Sequence, residues 1–190
     1  NGDNFTIADT GTATDDSLTL QNGGAATDVF GDVDFTITGF ENVTIDNSGT
    51  GAATTQDIDN FTITADTGGT TSLTVTGSNA MTFLAITAAT IDFSGVSAAA
   101  TGSTIVMGAQ AVGVTTITGS EGNDTLLGDA ASTIYGKGGI DQITGGTGND
   151  VIEGGAGNDI LNSTTGTDSV KGEAGNDVFA FSGDHVSAGD

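Results

Sequence analysis

Along the first 118 residues, apolar side chains alternate with hydroxyl-bearing ones. The pattern is plain in Phe5-Thr6-Ile7, Leu18-Thr19-Leu20, Phe35-Thr36-Ile37-Thr38 and Val43-Thr44-Ile45. It returns in Phe61-Thr62-Ile63-Thr64, Leu73-Thr74-Val75-Thr76, Thr104-Ile105-Val106-Met107 and Thr116-Ile117-Thr118. A period of two predicts strands with one buried face, and threonine on the other face suits a pleated surface. Clusters of Gly, Asn, Asp and Ser between these runs predict turns. No stretch shows the helical period. The intervals are uneven, so the strands fit either a parallel β-helix or an antiparallel sandwich. The β-helix is preferred, because the strands run without a linker into a strictly repeating segment. Ala98, Ala99, Ala100 and Gly102 are expected at its tight corners.

From Gly119 the period lengthens to nine. The successive segments are GSEGNDTLL (119–127), GDAASTIY (128–135), GKGGIDQIT (136–144), GGTGNDVIE (145–153), GGAGNDILN (154–162), STTGTDSVK (163–171) and GEAGNDVFA (172–180). Five match a template with glycine in places one and four, aspartate in place six and an apolar residue in place eight. The 163–171 segment matches in part, and 128–135 is one residue short. Glycine permits positive φ and close backbone approach, which a six-residue turn needs. The remaining three residues predict a short strand with one inward side chain. These are Leu126, Ile134, Ile143, Ile152, Leu161, Val170 and Phe179. One apolar residue per repeat is a thin core for a glycine-rich chain. Calcium is the expected supplement, since turn carbonyls and a carboxylate supply the six to eight oxygens it favours.

Charge points the same way. The chain has 190 residues, with 25 acidic residues against two lysines and no arginine, for a formal net charge of −23. Basic patches for nucleic acid or anionic membranes are therefore missing, and the self-repulsion calls for cations. Hydrophobic residues at 35% in regular clusters argue for a folded all-β chain over disorder. There is no cysteine, so no disulfide framework, and no apolar run approaches a membrane span. The start at Asn1 without a methionine and the stop at Asp190 partway through a pattern are read as marks of a fragment, which could have lost a signal peptide.

The array resembles the calcium-binding nonapeptides of RTX proteins, of form G-G-x-G-x-D-x-U-x. Residues 72–99 (SLTVTGSNAMTFLAITAATIDFSGVSAA), 114–128 (VTTITGSEGNDTLLG) and 37–45 (ITGFENVTI) extend the resemblance to RTX-containing surface-layer proteins of Gram-negative bacteria. That resemblance implies type I secretion in an unfolded state and folding on Ca2+ outside the cell. It also implies self-association into a homo-oligomer or lattice. Anchoring to surface polysaccharide or lipopolysaccharide would fall to regions beyond these residues. The fold it implies is a parallel β-helix over 1–118 continuing into a calcium-binding β-roll over 119–180, with 181–190 as the fragment's end.

The resemblance further implies two repeats per coil, so that residues eighteen apart stack. Asp141, Asp159 and Asp177 then form one column and Asp150 and Asp168 another. Asp124 lies seventeen before Asp141, because the short segment lacks its aspartate. Three or four ions are expected in the array, with more conceivable in the N-terminal region. Their ligands would be the six aspartates and carbonyls from places one to four. For the coil pairing 145–153 with 163–171, these are Gly145, Thr147 and Asp150 with Thr164, Gly166 and Asp168. In the other column they come from Gly119 and Glu121, then Gly136, Gly138 and Gly139. Gly154, Gly155, Ala156 and Gly157 follow, and then Gly175.

Other chemistry finds little support. His185 is the only histidine and has no cysteine or H-E-x-x-H partner. Lys137 and Lys171 are scattered along the chain. The pairs Asp15/Asp16, Asp32/Asp34 and Asp57/Asp59 read as solvated turn residues before calcium sites, and as glycosidase carboxylates last. The expectation is a non-enzymatic structural segment of a secreted, cell-surface assembly. An RTX segment of a large adhesin, or the RTX tail of a secreted hydrolase, is the alternative.

Overall fold

The computed structural model describes residues 3–11, 13, 15–21, 33–48, 56–64, 70–77, 81–96, 105–107 and 116–182. Ala98, Ala99, Ala100, Gly102, Asp32 and His185 lie outside them. The N-terminal strands are β1 (Asp3–Ala8), β2 (Ser17–Gln21), β3 (Val33–Thr38), β4 (Asn42–Asn47), β5 (Gln56–Thr64), β6 (Ser72–Gly77), β7 (Met81–Thr87), β8 (Thr90–Val96), β9 (Ile105–Met107) and β10 (Thr116–Thr118). The repeats supply β11 (Thr125–Leu127), β12 (Thr133–Gly138), β13 (Gln142–Thr144), β14 (Val151–Ala156), β15 (Ile160–Ser163), β16 (Ser169–Ala174) and β17 (Val178–Phe181). Odd-numbered strands form one nine-stranded sheet and even-numbered strands an eight-stranded one, each in chain order. Among the described residues every strand pairing is parallel. This is a parallel β-solenoid of two strands per coil, and the antiparallel sandwich is overturned.

Register shows how the coil changes along the axis. Ser17 pairs with Asn42 and Asn42 with Ser72, so these coils take 25 and 30 residues. Ile117 pairs with Ile134, seventeen on, and Ile134 with Ile152, eighteen on. The sheets continue through residue 119, because β10 pairs with both β8 and β12 and β11 with both β9 and β13. What changes there is coil length.

The core lies between the sheets. Phe35, Ile37, Phe61, Ile63, Met81 and Ile86 come from the odd-numbered strands, with Val43, Ile45, Leu73, Val75, Ile91 and Phe93 opposite. Phe5, Phe35 and Phe61 stack along the axis with centroids 5.9 and 5.7 Å apart. The repeats continue this core with one residue per strand, and Ile117, Leu126, Ile134, Ile143, Ile152 and Leu161 are fully buried. The row opens at its far end, where Val170 is half-buried and Phe179, expected inside, is 44% exposed on β17. Stacking supplies the cover, and β17 is the last described strand of its sheet.

Candidate metal centre

The glycines of the repeat divide into two kinds. Place-four glycines Gly139, Gly148, Gly157, Gly166 and Gly175, with place-two Gly146 and Gly155 but without place-four Gly122, have φ between 102° and 147°, the left-handed region that side chains avoid. Place-one glycines lack positive φ and are needed for space. A Cβ on Gly154 would lie 2.5 Å from the Asp159 Oδ2 of its own repeat and 2.9 Å from the Gly172 carbonyl of the next coil. At Gly119 the corresponding atoms are Asp124 Oδ2 at 2.7 Å and the Gly136 carbonyl at 2.6 Å. At Gly136 they are Asp141 Oδ2 and the Gly154 carbonyl, and at Gly145 the Asp150 Oδ2 is closest. Carboxylate and carbonyl oxygens thus converge between stacked turns where a methyl group would otherwise sit.

The aspartates make two ladders. Asp141 Oδ1 accepts the Asp124 N–H at 2.9 Å, Asp159 Oδ1 accepts that of Asp141 at 2.9 Å, and Asp177 Oδ1 that of Asp159 at 3.0 Å. In the second column Asp150 Oδ1 accepts the Ser132 N–H at 2.8 Å, and Asp168 Oδ1 that of Asp150 at 2.9 Å. Each carboxylate therefore ties its turn to the preceding coil. The second oxygens of Asp141, Asp150 and Asp159 have no partner, although each of these residues is 1% exposed. Burying an unpaired anionic oxygen is unfavourable. Burial pushes the Asp141 carboxyl up to about 7; the Asp124 N–H opposes the rise, and the charges of Asp124 and Asp159 add to it. Asp150 and Asp159 are raised too, chiefly by burial, against the N–H groups of Ser132 and Asp141 and with the charges of Asp168 and Asp177. A divalent cation at these oxygens would reverse that direction.

The two irregular repeats differ. Asp124 Oδ2 is occupied from within its own turn, by the Ser120 N–H at 2.7 Å and the Ser120 hydroxyl at 3.1 Å. The Ser163 hydroxyl likewise donates to Asp168 Oδ2. In the short segment Ser132 stands in place six, is buried, and donates its hydroxyl to the Ala130 carbonyl at 2.9 Å. These serines were not among the expected site residues, although serine where the template has glycine or aspartate is a visible signal.

The other expected ligands are distributed through the turns. The Ala156 carbonyl accepts the Gly139 N–H at 2.9 Å, and Thr147 bridges to Thr165 across the second column. Gly155 and Gly157 pack against the carbonyls of Lys137 and Gly139 in the preceding coil, and Gly166 and Gly175 against those of Gly148 and Gly157. The Thr164 hydroxyl is buried without a partner. Glu121 is exposed, and its carboxylate lies over Gly138, where a Cβ would come 2.7 Å from Oε2.

Among the described residues no three His, Cys, Asp or Glu side chains converge. An ion in these gaps would therefore be held by carboxylates and backbone carbonyls, the hard oxygen donors that calcium prefers. A parallel β-roll with unpartnered oxygens between its turns is the class that fold and site define. The family of the RTX calcium-binding nonapeptide repeat matches residues 113–132, 135–170 and 153–185. The chain carries these repeats, which bind Ca2+ and mark a calcium-binding segment of a secreted protein. No curated protein and no solved structure matches it. No helix among the described residues is long and apolar enough to cross a membrane.

Proposed function

We propose that this chain is a structural, non-enzymatic segment of a secreted surface-layer or cell-surface assembly, exported by the type I route and folding outside the cell as residues 119–180 take up Ca2+. One observation carries the reading: buried carboxylate oxygens stand unpartnered at coil intervals in Asp141, Asp150 and Asp159. Ions would sit between the turns of 136–141 and 154–159, of 154–159 and 172–177, and of 145–150 and 163–168. Asp141 and Asp159 would be joined there by the Gly154 and Gly172 carbonyls that face them. A net charge of −23 supports extracellular calcium as the agent that makes the stack stable. Self-association into a homo-oligomer or lattice would be its use, and would need the same ions to offset repulsion between copies.

Far-UV circular dichroism tests the first part. In EGTA the 119–180 array should be largely without β-structure; it should gain it in millimolar Ca2+ but not Mg2+, whose small octahedral shell suits these turns poorly. An unchanged β-signal in EGTA would overturn the calcium dependence. Electron microscopy of the full-length protein tests the second part: a lattice or filament that dissolves in chelator is expected. Adhesion without self-assembly, or hydrolase activity in the intact protein, would replace the lattice with an adhesin or an enzyme.

A further inference from the structure

We propose that Ser120, through its N–H and hydroxyl, and Ser163, through its hydroxyl, are plugs that hold the second carboxylate oxygen of Asp124 and Asp168 in place of an ion. Among the described residues, tight calcium uptake is then confined to the three gaps opened by Asp141, Asp150 and Asp159. The inference rests on the calcium reading above and sharpens it residue by residue.

Three observations carry it. The buried, unpartnered second oxygens belong to Asp141, Asp150 and Asp159, whereas those of Asp124 and Asp168 receive a serine donor. An N–H or O–H aimed at a carboxylate oxygen places positive hydrogen where a cation would have to sit, so donor and ion compete for one position. Between the 119–124 and 136–141 turns the Gly136 carbonyl is present beside Gly119, as the Gly154 carbonyl is beside Gly136. That gap therefore has the oxygens of an ion site and differs by the serine. The backbone differs too. Place-two residues Lys137, Gly146, Gly155 and Glu173 have positive φ, even where they are not glycine, and Ser120 and Thr164 are not among them. In the second column Ser132 takes the aspartate's place, so the gap above it lacks a carboxylate from its own turn.

Native mass spectrometry and calorimetric titration of the whole chain with CaCl2 give the count. Wild type should take three tight ions. Ser120→Gly removes the hydroxyl and allows positive φ at place two. In the repeats of Asp141, Asp150 and Asp159 that φ accompanies an unpartnered second oxygen and turns the N–H away, so the count should rise to four. Asp124→Asn should leave it at three, because that carboxylate holds no ion in the wild-type chain. Four or more equal sites in wild type would overturn the proposal, as would a folded Ser120→Gly variant still at three. Should Ser120→Gly fail to fold, loss of an ion in Asp124→Asn would overturn it on its own. A wild-type chain that takes no calcium defeats the underlying reading, whereas three ions in both wild type and Ser120→Gly defeats only the plugs.

Discussion

Replacing Asp159 with alanine removes two separable things. Oδ1 accepts the buried Asp141 N–H at 2.9 Å, and Oδ2 faces the gap toward Gly172 without a partner. The stranded N–H costs about 1–3 kcal/mol. One ion at a hundredfold excess over its dissociation constant contributes about 2.7 kcal/mol. Because removing a buried charge returns some stability, a net loss of about 3–5 kcal/mol is expected. Shared among the roughly two ions still taken up with folding, and at about 1.4 kcal/mol per tenfold, the calcium midpoint should rise roughly ten- to sixtyfold. Asp124→Ala breaks the in-turn bonds from Ser120 and no ion contact. Stranding the buried Ser120 N–H costs about 1–3 kcal/mol, which shared among about three ions moves the midpoint by about two- to fivefold. Calcium titrations followed by far-UV circular dichroism compare the two variants with wild type. Equal midpoints, or the larger shift at Asp124, would refute the assignment of the open gaps.

Three further outcomes follow from the same geometry. Gly154→Ala places a methyl group 2.5 Å from Asp159 Oδ2, so calorimetry should show a lost ion, with about 1–3 kcal/mol of overpacking in the melting curve. Ile143 is fully buried, and Ile143→Ala should lower the stability of the calcium-loaded chain by about 2–5 kcal/mol in denaturant titrations. The third concerns pH. Burial raises Asp141 to about 7 and lifts Asp150 and Asp159, so the metal-free folded state prefers these groups protonated. Metal-free stability should therefore rise as pH falls from about 7 toward about 4, where the unfolded carboxyls also protonate, and be lost above about 7. Calcium needs the ionised form, so its midpoint should rise on acidification below pH 7. A midpoint unchanged between pH 8 and 5 would contradict this.

Much of this was legible in the sequence, for a local reason. Alternation in Phe35-Thr36-Ile37 or Leu73-Thr74-Val75 reports a half-buried strand whatever its partner, and these residues do form β3 and β6 with their apolar members inside. The nine-residue period placed Asp141, Asp150 and Asp159 in turns, because glycine, aspartate and an apolar residue have separate jobs at fixed offsets. Strands β7 and β8 were less explicit, since Met81-Thr82-Phe83-Leu84-Ala85 breaks the clean alternation. Phe179 was expected inside on period alone, but its burial depends on what stacks over β17.

The amino-acid sequence by itself determined that the chain is all-β, that its last third repeats every nine residues, and that nearly every turn there carries an aspartate at place six. Those are properties of a few neighbouring residues and of their charge. Only the tertiary structure decided that the strands pair in parallel as two sheets. It alone separated glycines that need positive φ from those that need room for a carboxylate, and carboxylates open to an ion from those closed by serine. These distinctions depend on atoms one full coil away, or on a rotamer within the turn, which spacing along the chain does not encode.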